Sequence, residues 1–243
     1  MIRSSTVCLV KASFFLAVGL VASAGSASGA AITGLLNFSG SGQVRVSGTS
    51  LDFNANGLGI DGLFNVTSGT DYFSGYAGGL NSAGDLVDLT QAPGPVNIPG
   101  FLQLLLGPRA GLSVLLTEIA FGGGAACPPA AAAGSSCTPA PPLAPLGSPL
   151  LITRNAGGTT VTMVVRGSGA NGADIAHAVL GTFTAQITGV SPETLLAIVQ
   201  GGGFVDASYS AEFLFSTPEP ASVSTGLVGL GMIGFAAWRR RKA

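Results

Sequence analysis

The chain has 243 residues, with 38 Gly and 14 Pro together making about a fifth of it, a share that disfavours a long helical bundle because both residues weaken helix interiors. Charged residues are 9% against 47% apolar, which excludes disorder by the route of low hydropathy and high charge. The net charge of −1 hides an asymmetry: residues 31 to 217 carry four Arg, no Lys and ten acids, net −6, which disfavours nucleic-acid binding, since that needs a basic face.

Residues 1 to 30 open with Arg3 and Lys11, continue through an apolar run of eleven residues from Ala12 to Ala22, and end in small residues. The run is too short to span a hydrocarbon core of about 30 Å as a helix. The pattern predicts a secretory signal peptide cleaved after Ala30, with signal peptidase and the export translocon as partners. Cys8 precedes the apolar core and leaves with the peptide.

Strand signals dominate the chain beyond Ala30. Candidates lie near 32 to 38, 50 to 55, 62 to 67, 71 to 77, 84 to 89, 112 to 121 and 149 to 154, with short alternations at Val44 and Val46 and at Val161, Met163 and Val165. Asp52-Phe53-Asn54-Ala55-Asn56-Gly57 matches the opening of a calcium loop, in which alternate oxygens of Asp52, Asn54 and Asn56 would face one ion. Position twelve is Leu63 instead of the bidentate Glu, and the flanks read as strands, so an Asn/Gly turn competes with a calcium site. Gly57 to Gly62 spells G-x-G-x-x-G but is followed by a strand pattern, which makes it a turn and not a dinucleotide site. Tyr72, Phe73 and Tyr76 form the one aromatic cluster of the middle, expected to serve strand packing.

Residues 122 to 149 are rich in Pro and Ala and read as a long loop. Cys127 and Cys137, the only cysteines left after signal removal, are expected to pair as a disulfide in an oxidising compartment. His177 is the only histidine, with Asp174 three residues before it, and no G-x-S-x-G occurs. A Ser-His-Asp hydrolase is therefore disfavoured. A glycosidase needs only two carboxylates, which composition leaves open, although nothing in the sequence pairs them.

Ser191, Pro192 and Glu193 form a helix start and Gly201 to Gly203 a stop, predicting one short helix. The alternations at Phe183, Ala185 and Ile187 and from Val205 to Phe215 flank it. Ten or so short strands with Gly, Asn and Ser turns predict an all-β, antiparallel sandwich or jelly-roll-like domain over residues 31 to 217.

The chain closes with Pro218-Glu219-Pro220, an uncharged stretch from Ala221 to Trp238, and Arg239-Arg240-Arg241-Lys242. Eighteen residues make a helix of about 27 Å, enough to cross a membrane. The four cations should stay cytoplasmic, leaving residues 31 to 217 outside. This order of features resembles the PEP-CTERM sorting signal of Gram-negative bacteria. The resemblance implies an exosortase that reads and processes the signal, and a route from the inner membrane to the cell surface or the exopolysaccharide matrix. The same signal ends many unrelated exported proteins, some named as ice-binding, so it implies a route and not an activity. The middle also resembles a recurring PEP-CTERM architecture at Gly40-Ser41-Gly42, Leu51-Asp52-Phe53, the Cys127/Cys137 loop with Gly147-Ser148-Pro149, and Ser208-Tyr209-Ser210-Ala211. The resulting expectation is a non-catalytic exported surface or matrix protein without a cofactor. The alternative is a glycan- or surface-binding module assisted by calcium.

Overall fold

The computed structural model describes residues 30–48, 50–53, 62–76, 78–90, 92–139 and 147–217. The signal-peptide segment 1–29, Asn54 and Asn56 of the calcium-loop pattern, the glycine motif 57–61 and the whole sorting signal from Pro218 lie outside the described residues.

The described residues form twelve strands: β1 (Gly34–Gly40), β2 (Val44–Val46), β3 (Leu51–Asp52), β4 (Phe64–Gly69), β5 (Leu80–Leu86), β6 (Gly94–Leu104), β7 (Ser113–Ile119), β8 (Ser136–Cys137), β9 (Leu150–Asn155), β10 (Gly158–Asn171), β11 (Asp174–Thr188) and β12 (Val205–Ser216). A 3-10 helix covers Asp71–Tyr76, and an α-helix, α1 (Pro192–Gln200), joins β11 to β12. Every pairing between these strands is antiparallel. The antiparallel all-β character is thus as the alternation predicts.

The pairing also runs in a circuit. Going round, β12, β1, β4, β5, β6, β7, β10 and β11 each bond to the next, and β11 returns to β12. Inner faces oppose one another across one core, as in a sandwich, while the backbone hydrogen bonds continue round the molecule, as in an eight-stranded barrel whose interior side chains can fill. β2 and β3 extend the sheet from the start of β12, and β9 and β8 extend it from the first half of β10.

Alternation decides which side chains fill that interior. On β12, Ala207, Tyr209, Ala211, Phe213 and Phe215 are buried while Ser208, Ser210, Glu212 and Leu214 are exposed. Phe183 on β11 meets Phe38, Phe53, Phe101 and Phe213 at ring-centroid separations of 6.3, 5.0, 5.9 and 5.4 Å. Such rings each contribute roughly 1.5 to 3 kcal/mol by burial, plus about 0.5 to 1.5 kcal/mol per well-placed pair. Apolar inside and polar outside is the reverse of a lipid-embedded barrel. Among the described residues no helix is long and apolar enough to cross a membrane.

One predicted strand is corrected, and one observed strand lies where none is predicted. The sequence predicts a strand near residues 71 to 77, but Asp71 adopts φ 50° and opens the 3-10 helix. That turn folds Phe73 and Tyr76 under the barrel end, where both are buried. β6 lies where no strand is predicted, and it carries Pro95 and Pro99. Proline is tolerated there because residues 94 to 100 pair only with β7, and β5 joins β6 at Leu102 to Leu104. The helix matches its punctuation: Ser191 Oγ accepts the Thr194 amide at 3.3 Å, Pro192 opens the helix and Gly201 ends it.

Candidate functional site

The closed sheet places hydroxyl and amide side chains from distant parts of the chain side by side on its outer face. One row crosses β9, β10, β11 and β12 through Thr153, Thr160, Gln186 and Ser208. A second passes through Thr162, Thr184, Ser210, Ser39 and Asn65 on β10, β11, β12, β1 and β4. A third runs through Thr182, Glu212, Asn37 and Ser68. Neighbours in a row are one strand spacing apart, about 4.8 Å. Asn37 donates to Ser68 Oγ at 3.0 Å, and the Ser136 and Thr153 hydroxyls lie 2.7 Å apart.

Where β11, β12, β1 and β4 meet, this face dips into a groove of about 410 Å³ between Asn37, Ser39, Thr67, Thr182, Thr184, Ser210 and Glu212. Glu212 supplies its formal charge. A second depression continues past Ser39, Asn65 and Thr67 to Asn81, and a third lies at Asn155, Thr160, Gln186 and Thr188. The lining differs from the apolar, aromatic pockets that take small organic ligands. It offers hydroxyl and amide donors and acceptors in rows beside the Glu212 carboxylate.

The sequence-derived candidates fall elsewhere. Asp52 ends β3 and pairs in register with Arg45, which pairs in turn with Asp206. The Arg45–Asp206 bridge is 3.0 Å, and Arg45 also lies 3.6 Å over the Phe204 ring. The hydrogen bond to Asp206, with Asp52 adding its field, raises the Arg45 pKa against the effect of burial. The Asp52 carboxylate therefore sits in an acid-base-acid row. Among the described residues no three of His, Cys, Asp and Glu are grouped to hold a metal.

Cys127 and Cys137 are bonded, with Cα atoms 4.7 Å apart. The loop they close is held against α1: Ala131 donates its amide to Glu193, Arg154 Nη1 donates to the Ala131 carbonyl at 2.6 Å, and Arg154 pairs with Glu193 at 3.3 Å. Hydrogen bonds from Ser191 and the Ala131 amide hold the Glu193 pKa down at about 2.

The aromatic cluster is structural. Tyr72 donates to Asp174 at 3.2 Å, Arg109 stacks 3.9 Å over its ring, and Tyr76 donates to the Leu106 carbonyl at 2.8 Å. Burial pushes the Tyr72 and Tyr76 phenols up. His177 lies within β11. The outer rows are invisible in the linear sequence, because their members come from strands far apart in the chain, such as Asn37 beside Glu212 and Ser39 beside Ser210. The signal that could have found them was the polar half of each alternation.

Such a fold and face define an all-β domain with a polar, net acidic exterior. Comparison with family models matches residues 216–242 to the PEP-CTERM protein-sorting motif. The chain thus carries a PEP-CTERM protein-sorting motif over residues 216–242, which indicates an exported protein processed by an exosortase. Comparison with curated proteins and with solved structures finds no match.

Proposed function

We propose that residues 31 to 217 form a non-catalytic surface or matrix domain. A signal peptide over residues 1 to 30 delivers it across the inner membrane, the helix 221 to 238 holds it there, and an exosortase transfers it outward. The observation that carries the reading is the sorting motif, which begins at Ser216, the last residue of β12. The engagement of its charged groups supports a structural role. Asp206, Glu193 and Glu118 each pair with an Arg, Asp174 accepts from Tyr72, and Asp88 accepts the Phe53 amide. Deleting residues 218 to 243 is expected to move the protein from the envelope to the soluble periplasm or medium. Unchanged fractionation would overturn this reading. Intact mass of the wild-type product, starting near Ala31 and ending near Pro218 to Pro220, locates the processing points.

The polar groove favours a second reading, a module that binds exopolysaccharide. Hydroxyls and amides in rows one strand apart can bridge successive sugar hydroxyls, directly or through water. Calcium at Asp52, Asn54 and Asn56 belongs to this reading and competes with Arg45 for the Asp52 carboxylate. Cosedimentation with the host's purified exopolysaccharide should be lost in a Thr182→Ala, Thr184→Ala, Glu212→Ala triple variant, and calorimetry with calcium tests the metal.

A further inference from the structure

The barrel has two ends, and they differ. β12 finishes at Ser216, still paired with Ala178 of β11, and Phe215 is paired with Gly34 of β1. At this end lie the β10–β11 turn, the 3-10 helix and the connection from β6 to β7. Five large apolar side chains are exposed here: Leu105 and Leu106 in the β6–β7 connection, Ile175 and Leu180 on β11, and Leu214 on β12, each 38% to 50% exposed. Leu180 and Leu214 are directly opposite one another across the β11–β12 ladder. Of the charges nearby, Arg109 is stacked on Tyr72 and Asp174 accepts from Tyr72, while Asp71 is exposed. Ile32 bonds to Ile175 at this same end, so both termini of the domain leave on one side.

Among the described residues the opposite end exposes two large apolar side chains, Phe121 and Phe204, the latter under Arg45. Only Thr217 to Pro220 separate β12 from the apolar stretch that starts at Ala221. Four extended residues reach about 14 Å at most. The headgroup layer beyond the hydrocarbon core takes up roughly 5 to 7 Å of that. Tethered so closely, the barrel stays within about 10 Å of the headgroups, and the end held near them is the one that exposes its leucines. Apolar side chains at the boundary between headgroups and acyl chains are stabilised by leaving water.

We propose that this barrel end is a lipid-docking surface, seated by Leu106, Leu180 and Leu214 on the outer leaflet of the membrane that holds the C-terminal helix. The proposal rests on the reading of residues 221 to 238 as that helix. Docking presents Pro218 to Pro220 at the membrane surface, within reach of a membrane-embedded enzyme, while the barrel stays folded to its last residue.

The test uses the full chain carrying Cys8→Ser, in vesicles of phosphatidylethanolamine and phosphatidylglycerol, with an environment-sensitive fluorophore on Leu106→Cys, Leu214→Cys, or Phe121→Cys at the opposite end. The first two labels are expected to shift to the blue and to lose most of their emission when the acyl chains are brominated, while the third is unaffected. Leu180→Cys repeats the measurement where either leucine variant fails to fold. Labels at 106 and 214 that remain aqueous, in a chain that resists alkaline extraction, overturn docking and leave the anchor standing. Labels shielded from water but not quenched by bromolipid put protein on this face, a second copy included, and also overturn it. Extraction by alkali removes the anchoring reading and the docking with it.

Discussion

Glu193 shows how one side chain can tie three elements together. It stands at the start of α1, accepts from Ala131 in the disulfide loop and pairs with Arg154 on β9. Its pKa is lowered from 4.5 to about 2 by the Ser191 hydrogen bond first and the Ala131 amide second. A depressed carboxylate stabilises the fold fully above its unfolded pKa, and that contribution fades as pH falls toward the folded value. Amide-exchange protection at Ala131 should therefore hold above pH 4.5 and decline on the way to pH 2. In Glu193→Gln the protection should be lower and flat across that window. Tyr209 poses the opposite case. Its hydroxyl is buried with no hydrogen-bond partner among the described residues, and burial pushes its pKa up. Leaving a buried hydroxyl unpaired costs about 1 to 3 kcal/mol. Tyr209→Phe should thus leave Tm unchanged or raise it, and a fall in Tm would reveal a partner.

Glycines inside the strands reflect how the elements pack. Gly40 faces the Tyr209 ring, Gly84 the Phe64 ring and Gly181 the Phe213 ring, each where a Cβ would stand. An eight-stranded barrel has room for these rings only if the facing position is empty. At Gly181 a Cβ would lie 2.5 Å from Phe213 and 2.8 Å from Val165. Gly181→Ala should then cost roughly 1 to 3 kcal/mol, read as a lower urea midpoint. Gly42→Ala, where nothing lies within 4 Å, is the control and should be silent. Some of this was legible in the chain. The alternation from Val205 to Phe215 and the punctuation of α1 are local patterns, and local physics decides them. β6 and the 3-10 helix were not, because Pro95 and Pro99 are admitted by a missing neighbour strand and Asp71 by the packing of the turn it opens.

At the scale of the molecule, a polar face of hydroxyls and amides and an apolar end stand on one barrel. The first faces whatever surrounds the exported protein, and the second faces the side from which the chain leaves toward its sorting motif. The cosedimentation and vesicle measurements address these two surfaces separately, since the triple variant alters the polar groove while the labels report on the barrel end alone.

The route was determined by the sequence itself. Pro218-Glu219-Pro220, the uncharged stretch and the Arg cluster are contiguous, and the family match follows their order along the chain. The all-β class was likewise set by period-two alternation, which depends only on neighbours along the chain. Closure of the sheet, the hydroxyl rows and the grouping of five apolar side chains at one end were decided by the tertiary structure. Each depends on which strand lies beside which: the register of Ser39 with Ser210 exists only once β1 has bonded to β12, and that of Leu180 with Leu214 only once β11 has done so.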